Sequence, residues 1–130
     1  MTESAPPFAA DAGCRGESCD TADACLIYIT APDSGEAIRL GRGLVENGLV
    51  AGVNIIPGAL SIYRWQGEIR QREEHLLIAQ ASSAALESVA RHIRMHHSYI
   101  VPCLIWVRAG GGAKNFLQWI SANSRGNCAG

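Results

Sequence analysis

No stretch of this chain approaches the roughly 18 consecutive apolar residues that a membrane-crossing helix needs. No run of lysine or arginine is long enough to neutralise phosphates in series, which argues against a nucleic-acid partner. The first residues, MTESAPPFAADAGC, lack both a basic region and an apolar stretch, so they do not read as a secretory leader. No C-x-x-C pair occurs among Cys14, Cys19, Cys25, Cys103 and Cys128, which removes zinc ribbons and thioredoxin-type redox motifs. An odd set at irregular spacing reads instead as free thiols in a reducing compartment. Gly110-Gly111-Gly112 lacks the Lys-Ser/Thr pair of a phosphate cradle and reads as a hinge. No nucleophile, base and second carboxylate fall together, so catalysis is the weakest class. The expectation is a cytoplasmic, non-enzymatic protein with neither membrane nor nucleic-acid partners.

What is present suits one compact domain. A chain of 130 residues buries about two thirds of its unfolded surface. Hydrophobic content of 48% against 18% charged residues is slightly apolar for a monomer and tilts toward an oligomer. Charge is uneven. Residues 1–24 hold five acids and one base, a net −4, and the remainder holds 10 bases and 7 acids, a net +3. With Phe8 its only large apolar residue, the segment 1–24 cannot offset its ordering entropy and is expected to be a mobile acidic tail. Residues 25–124 form the expected domain and 125–130 a second tail.

Two β-rich runs, 50–56 and 59–65, meet at Pro57-Gly58, and Gln66-Gly67 turns the chain into a return arm, 68–81. Pro57 cannot donate to a ladder, which implies a bulge or an edge position. Gly67 supplies the positive φ of a tight hairpin. Leu60, Ile62 and Arg64 fall on one side of this ribbon, with Ser61, Tyr63 and Trp65 on the other. An ordinary hairpin is the plainest reading.

Upstream, CLIYITA (25–31) is apolar on both faces and reads as a central strand. Asp33 and Glu36 form a capping box for a helix ending near Asn47, with Ala37, Leu40, Leu44 and Val45 inward and Gly48 beyond its end. Gly41 and Gly43 weaken that helix unless close packing requires them. Downstream, 82–97 reads as a second helix with Leu86, Val89, Ala90 and Ile93 inward. Residues 101–108 form a fourth strand, and 113–123 a short helix with Phe116, Leu117 and Ile120 inward. This order predicts an α+β, ferredoxin-like βαββαβ sandwich. Its helices cover one face of an antiparallel sheet, with a long ribbon between strands two and three and a short C-terminal helix.

From about residue 27 to 124 the chain resembles the CutA divalent-cation-tolerance family. The residues that carry the likeness are Thr30-Ala31-Pro32, GLVENGLVAGVN (43–54) and IIPGALSIYRWQGEI (55–69). Glu74, His96-His97-Ser98-Tyr99 with Pro102, and FLQWI (116–120) complete it. The resemblance implies a homotrimer similar in architecture to the PII signal proteins, with ribbons adding strands across subunit boundaries. Closed symmetry would pair an otherwise hazardous exposed edge. Tyr63, Trp65 and Glu74 then lie at an intersubunit cleft, Glu74 paired with an arginine.

The resemblance also implies response to metal ions and a copper site built from a cysteine, a histidine and a glutamate. Carried over residue by residue, these positions are Ile29, His96 and Cys103, so one of three survives. Gly52 and Gln80 depart from the usual cysteine and lysine. Cys103 with His96 or His97 is a soft pair suited to copper or zinc, and His92 lies one helical turn before His96. The competing reading makes these histidines ordinary helix-end residues, favoured there by the macrodipole. Three functions therefore compete. They are a trimeric metal-responsive protein, a PII-like sensor of small anions or nucleotides using Arg64, Arg70 and Arg72, and a trimeric scaffold.

Overall fold

The computed structural model describes residues 23–125. The acidic tail, the last residues, and Cys14, Cys19 and Cys128 lie outside the described residues. In chain order the elements are β1 (Ala24–Ala31), α1 (Ser34–Glu46), β2 (Gly52–Trp65) and β3 (Glu68–Ser82). They continue with α2 (Leu86–His96), β4 (Leu104–Arg108) and α3 (Lys114–Asn123). The four strands form one sheet in the order β2-β3-β1-β4, every pairing antiparallel. This is the βαββαβ arrangement, and β1 lies inside the sheet as its apolar composition requires.

The strand alternation divides the sheet into two unlike faces. Cys25, Ile27, Ile29 and Ala31 of β1, with Leu77, Ala79 and Ala81 of β3, point at α1 and α2 and form the main core. Ala37, Leu40 and Leu44 of α1, and Leu86, Val89 and Ile93 of α2, complete it. Gly41 is required here, because a Cβ would sit 3.0 Å from Val53 Cγ1 across the helix–strand contact. Val45, expected inside, is 41% exposed. It stands one residue, about 100°, beyond Leu44 and off the stripe that meets the sheet. Glu36 is the other departure. Asp33 caps α1 by accepting the Glu36 N–H at 2.8 Å, but Glu36 does not reach back. Its carboxylate turns to α2's far end and accepts the Ser98 N–H at 2.8 Å.

The opposite face is not uniformly bare, as one-sided helices would leave it. Leu117 and Ile120 of α3 bury a second, smaller cluster with Ala24 and Ala51. Gln80 Oε1 and the ring of Trp119, itself stacked on Phe116 at 5.4 Å, occupy the space that a Cβ on Gly52 would need, at 2.9 and 3.0 Å from it. Gly52 thus has a packing reason. The helix end is anchored where the Ser124 hydroxyl donates to the Leu49 carbonyl at 2.8 Å and accepts the Ser82 N–H at 2.8 Å. Beyond α3 this face stays open, with Leu26, Tyr28, Ile105 and Val107 exposed by 43, 43, 61 and 58%.

Two boundaries move. Residues Ser83–Ala85 form a 3₁₀ turn before α2, and β4 begins at Leu104 rather than at 101. Pro102 lacks a ladder donor, which suits the later start. The β2–β3 ribbon is continuous, with a register shift between Ile56 and Ala59 where Pro57 sits. Pro57 therefore occupies both of its expected settings, a bulge on an edge strand. Gln66 and Gly67 both take positive φ, 51° and 81°, the pattern of a two-residue type I′ turn.

Candidate functional site

Tyr28 and Thr30 of β1, Ser61, Tyr63 and Trp65 of β2, and Arg70, Arg72 and Glu74 of β3 share the open face by register. With Tyr99 and the link 100–103 they line a groove of about 560 Å³. Tyr63 and Trp65 thus share one side of the ribbon as its alternation predicts, and Glu74 of β3 lines the same groove. Arg70 and Arg72 join them. Arg64 does not, because it stands on the other side of the ribbon with its guanidinium toward the Gly67 carbonyl at 3.4 Å.

At the base of the groove, the Tyr99 hydroxyl donates to Glu74 Oε2 at 2.6 Å. Glu74, expected to pair with an arginine, is held within the chain by this phenol. Arg72 instead lies over the Tyr99 ring, 5.2 Å from its centre, a cation–π contact. Burial, reinforced by the bond to Glu74, pushes the Tyr99 hydroxyl well above its ordinary value of 10.0. It therefore stays a donor across the physiological range.

Tyr99 belongs to a wider knot centred on His97, whose side chain is 0% exposed. His97 Nε2 lies 2.7 Å from the Thr30 carbonyl. A carbonyl can only accept, so this nitrogen carries the proton. Nδ1 accepts the Tyr99 N–H at 3.1 Å. The rings of His97 and Tyr99 lie 4.7 Å apart, and Glu36 closes the knot, its Oε2 accepting the Ser98 N–H and lying 3.3 Å from His97 Nδ1. The link between α2 and β4 is thereby tied to β1, α1 and β3 at once.

A second, smaller cavity of about 270 Å³ lies between the end of α1 and the outer side of α2. Asn47, Leu49, Ser88, Arg91, His92, Met95 and His96 line it. His92 and His96, four residues apart, face each other with ring centres 4.3 Å apart. Gly43 makes room for His92, since a Cβ there would meet its Nε2 at 2.9 Å. Burial, with the neighbouring His96 second, lowers the His92 pKa and favours the neutral imidazole.

The expected metal residues are therefore separated within one chain. His96 lines the cavity beside α2, Cys103 lines the groove on the open face, and His97 is enclosed with both nitrogens bonded. Ile29 lies in the core at 0% exposure and offers no donor. No cluster of three or more potential ligands occurs among the described residues. Cys25 is buried, which raises its thiol pKa and leaves it inert. Cys103 is exposed. His75 is half-buried, with Nδ1 enclosed and unbonded. Sequence reasoning missed Thr30 and Glu36 as partners of the histidine motif, because their contacts bridge more than 60 residues of chain.

The geometry can now be compared with known proteins. Residues 25–123 match the family described as CutA1 divalent ion tolerance protein. The divalent-cation tolerance protein CutA of Pectobacterium atrosepticum is 34% identical over 103 residues, covering 79% of this chain and 94% of that protein. The chloroplastic CutA protein of Arabidopsis thaliana is 33% identical over 109 residues, covering 84% of this chain. The match spans only 60% of the length of that plant relative. The solved structure of the Thermus thermophilus protein superposes with a TM-score of 0.76 at 34% identity, covering 78% of this chain and 98% of that one. No helix among the described residues is long and apolar enough to cross a membrane. The family is named for ion tolerance rather than for a reaction, and this chain belongs to it: a CutA-like divalent-cation tolerance protein of ferredoxin-like fold.

Proposed function

We propose that the chain acts as a homotrimer that takes up copper or zinc in divalent-cation tolerance, without catalysing a reaction. The open sheet face carries the oligomer reading. Leu26 and Tyr28 of β1, with Ile105 and Val107 of β4 beside it, form an apolar surface that α3 leaves uncovered, and such surfaces mark contact sites. The projecting β2 edge beside the groove suits strand addition by a neighbouring copy, with Tyr63, Trp65 and Glu74 at the boundary. Native mass spectrometry tests this. A trimer is expected, and Ile105→Asp should yield monomers. A wild-type monomer would overturn the assembly.

The metal reading draws on exposed soft donors, the Cys103 thiol and the His96 imidazole. Their separate cavities mean that one chain does not offer them to one ion. His97, with both nitrogens engaged, is the weaker of the paired histidines as a ligand. The free thiols Cys25 and Cys103 suit the cytoplasm, which cell fractionation of a tagged chain would check.

A second reading follows from Arg70 and Arg72, which share the groove with the aromatic rings of Tyr28, Tyr63, Trp65 and Tyr99. That lining suits a small planar anion or nucleotide. Saturable thermal stabilisation by ATP or ADP would favour it, and a flat response would leave the metal reading or a plain scaffold.

A further inference from the structure

The groove on the open face is long. Its lining follows β3 from the level of Thr30, paired with Leu76, to that of Trp65, paired with Glu68. Eight steps of strand make that about 26 Å at roughly 3.3 Å per residue. The rings of Tyr28, Tyr63, Trp65 and Tyr99 line it, and Arg70 and Arg72 stand among them. The one acid in the lining, Glu74, is turned to the Tyr99 hydroxyl. Arg70 also meets Glu68 at 3.4 Å, but both side chains are exposed, and such pairs hold weakly. An aromatic, basic channel of this length suits an extended peptide that presents flat apolar rings and acids. Proline rings dock on aromatic grooves, and their preformed extended helix loses little entropy in doing so. Proline also brings no N–H to a strand edge, so it lies across a sheet face rather than adding to the sheet.

The chain carries such a segment among the residues before Asp23. Residues 3–11, ESAPPFAAD, hold Pro6-Pro7-Phe8 at the centre, an acid at each end, and no base. In an extended proline-type helix of about 3.1 Å per residue, that segment spans about 25 Å, the length of the groove. We propose that residues 3–11 dock along this groove as an intramolecular peptide ligand. Pro6, Pro7 and Phe8 lie against the aromatic rings, and an acidic end meets Arg70 and Arg72. The connection is long enough. Asp23, beside Ser83 at 3.3 Å, stands just before β1, about 17 Å along the strand from Tyr28. The residues between Asp11 and Asp23 reach about 40 Å when extended. Charge favours this occupant over the ribbon of a second copy. That ribbon exposes Arg64, Arg70 and Arg72 against Glu68 and Glu73, so like charges would oppose in the groove. Docked there, the segment covers Cys103 and closes the groove to small anions.

The test uses Cys103, exposed in the groove lining, as a reporter in the full chain. Its alkylation by iodoacetamide is followed by peptide mass spectrometry, which separates it from the other cysteines. A tethered segment at millimolar effective concentration covers the groove most of the time even at about 100 μM intrinsic affinity. The double variant Pro7→Ala, Phe8→Ala should therefore label Cys103 about tenfold faster than wild type. Arg70→Gln, made from the groove side, should speed labelling too, as should raised salt with wild-type protein. Equal Cys103 rates in wild type and the double variant would overturn the proposal. So would labelling that is slow in both and accelerates on dilution, because a second copy would then be the cover.

Discussion

His96 and His97 are consecutive, yet they live in different physical worlds. His97 points inward, fully enclosed, and its two nitrogens bind the Thr30 carbonyl and the Tyr99 N–H. His96 points outward, exposed, with the ring of His92 beside it. The backbone change between them explains the divergence. α2 ends at His96, and His97 takes extended geometry with φ −85° and ψ 142°, so its side chain leaves the helical spiral and turns under the chain. A histidine pair in a motif can therefore hold one enclosed, fully bonded residue and one exposed residue. Burial and hydrogen bonding, rather than residue type, tell them apart.

The sharpest way to break the comparison is to remove the buried half. His97→Ala strands the Thr30 carbonyl and the Tyr99 N–H and leaves a cavity. It should cost about 3 kcal/mol or more in urea unfolding, with little effect on metal affinity. Tyr99→Phe comes next. It leaves the enclosed Glu74 carboxylate without its donor and should cost about 1–3 kcal/mol.

The same variant carries a pH signature. The folded state holds the Tyr99 proton more tightly than the unfolded chain, so this stabilisation is complete below pH 10.0 and is lost as pH rises above it. Wild-type protein should therefore lose stability faster than Tyr99→Phe on the alkaline side.

The exposed half should respond weakly. His96→Ala is expected to change stability by less than about 0.5 kcal/mol. His92 is held below its ordinary 6.5 by burial. The unfolded chain thus takes up a proton first as pH falls below that value, and stability declines there. His92→Gln should remove that small acid-side decline, as urea midpoints between pH 5 and 7 would reveal.

Much of this organisation was legible in the residues. The apolar run 25–31, the Pro57 bulge and the Gln66-Gly67 turn are local signals, and the sheet and its ribbon follow from them. Tyr63 and Trp65 share a side by alternation along one strand, whereas Glu74 joins them only through the pairing of β2 with β3. What could not be read were contacts across the chain. Glu36 fits a capping box three residues from Asp33, yet it serves Ser98, 62 residues away. Gly43 looks like a weak point in α1 until His92 is seen against it. Likewise, the packing reason for Gly52 shows only once Gln80 of β3 and Trp119 of α3 are seen against it.

The division of labour between neighbouring histidines is tested most directly by long-range ¹H–¹⁵N correlation spectra of the imidazole rings, recorded before and after adding Zn(II). The account predicts that the ring nitrogens of the exposed His96 shift while His97 keeps its Nε2-protonated pattern unchanged. Metal-induced shifts at His97, with His92 and His96 unmoved, would contradict it.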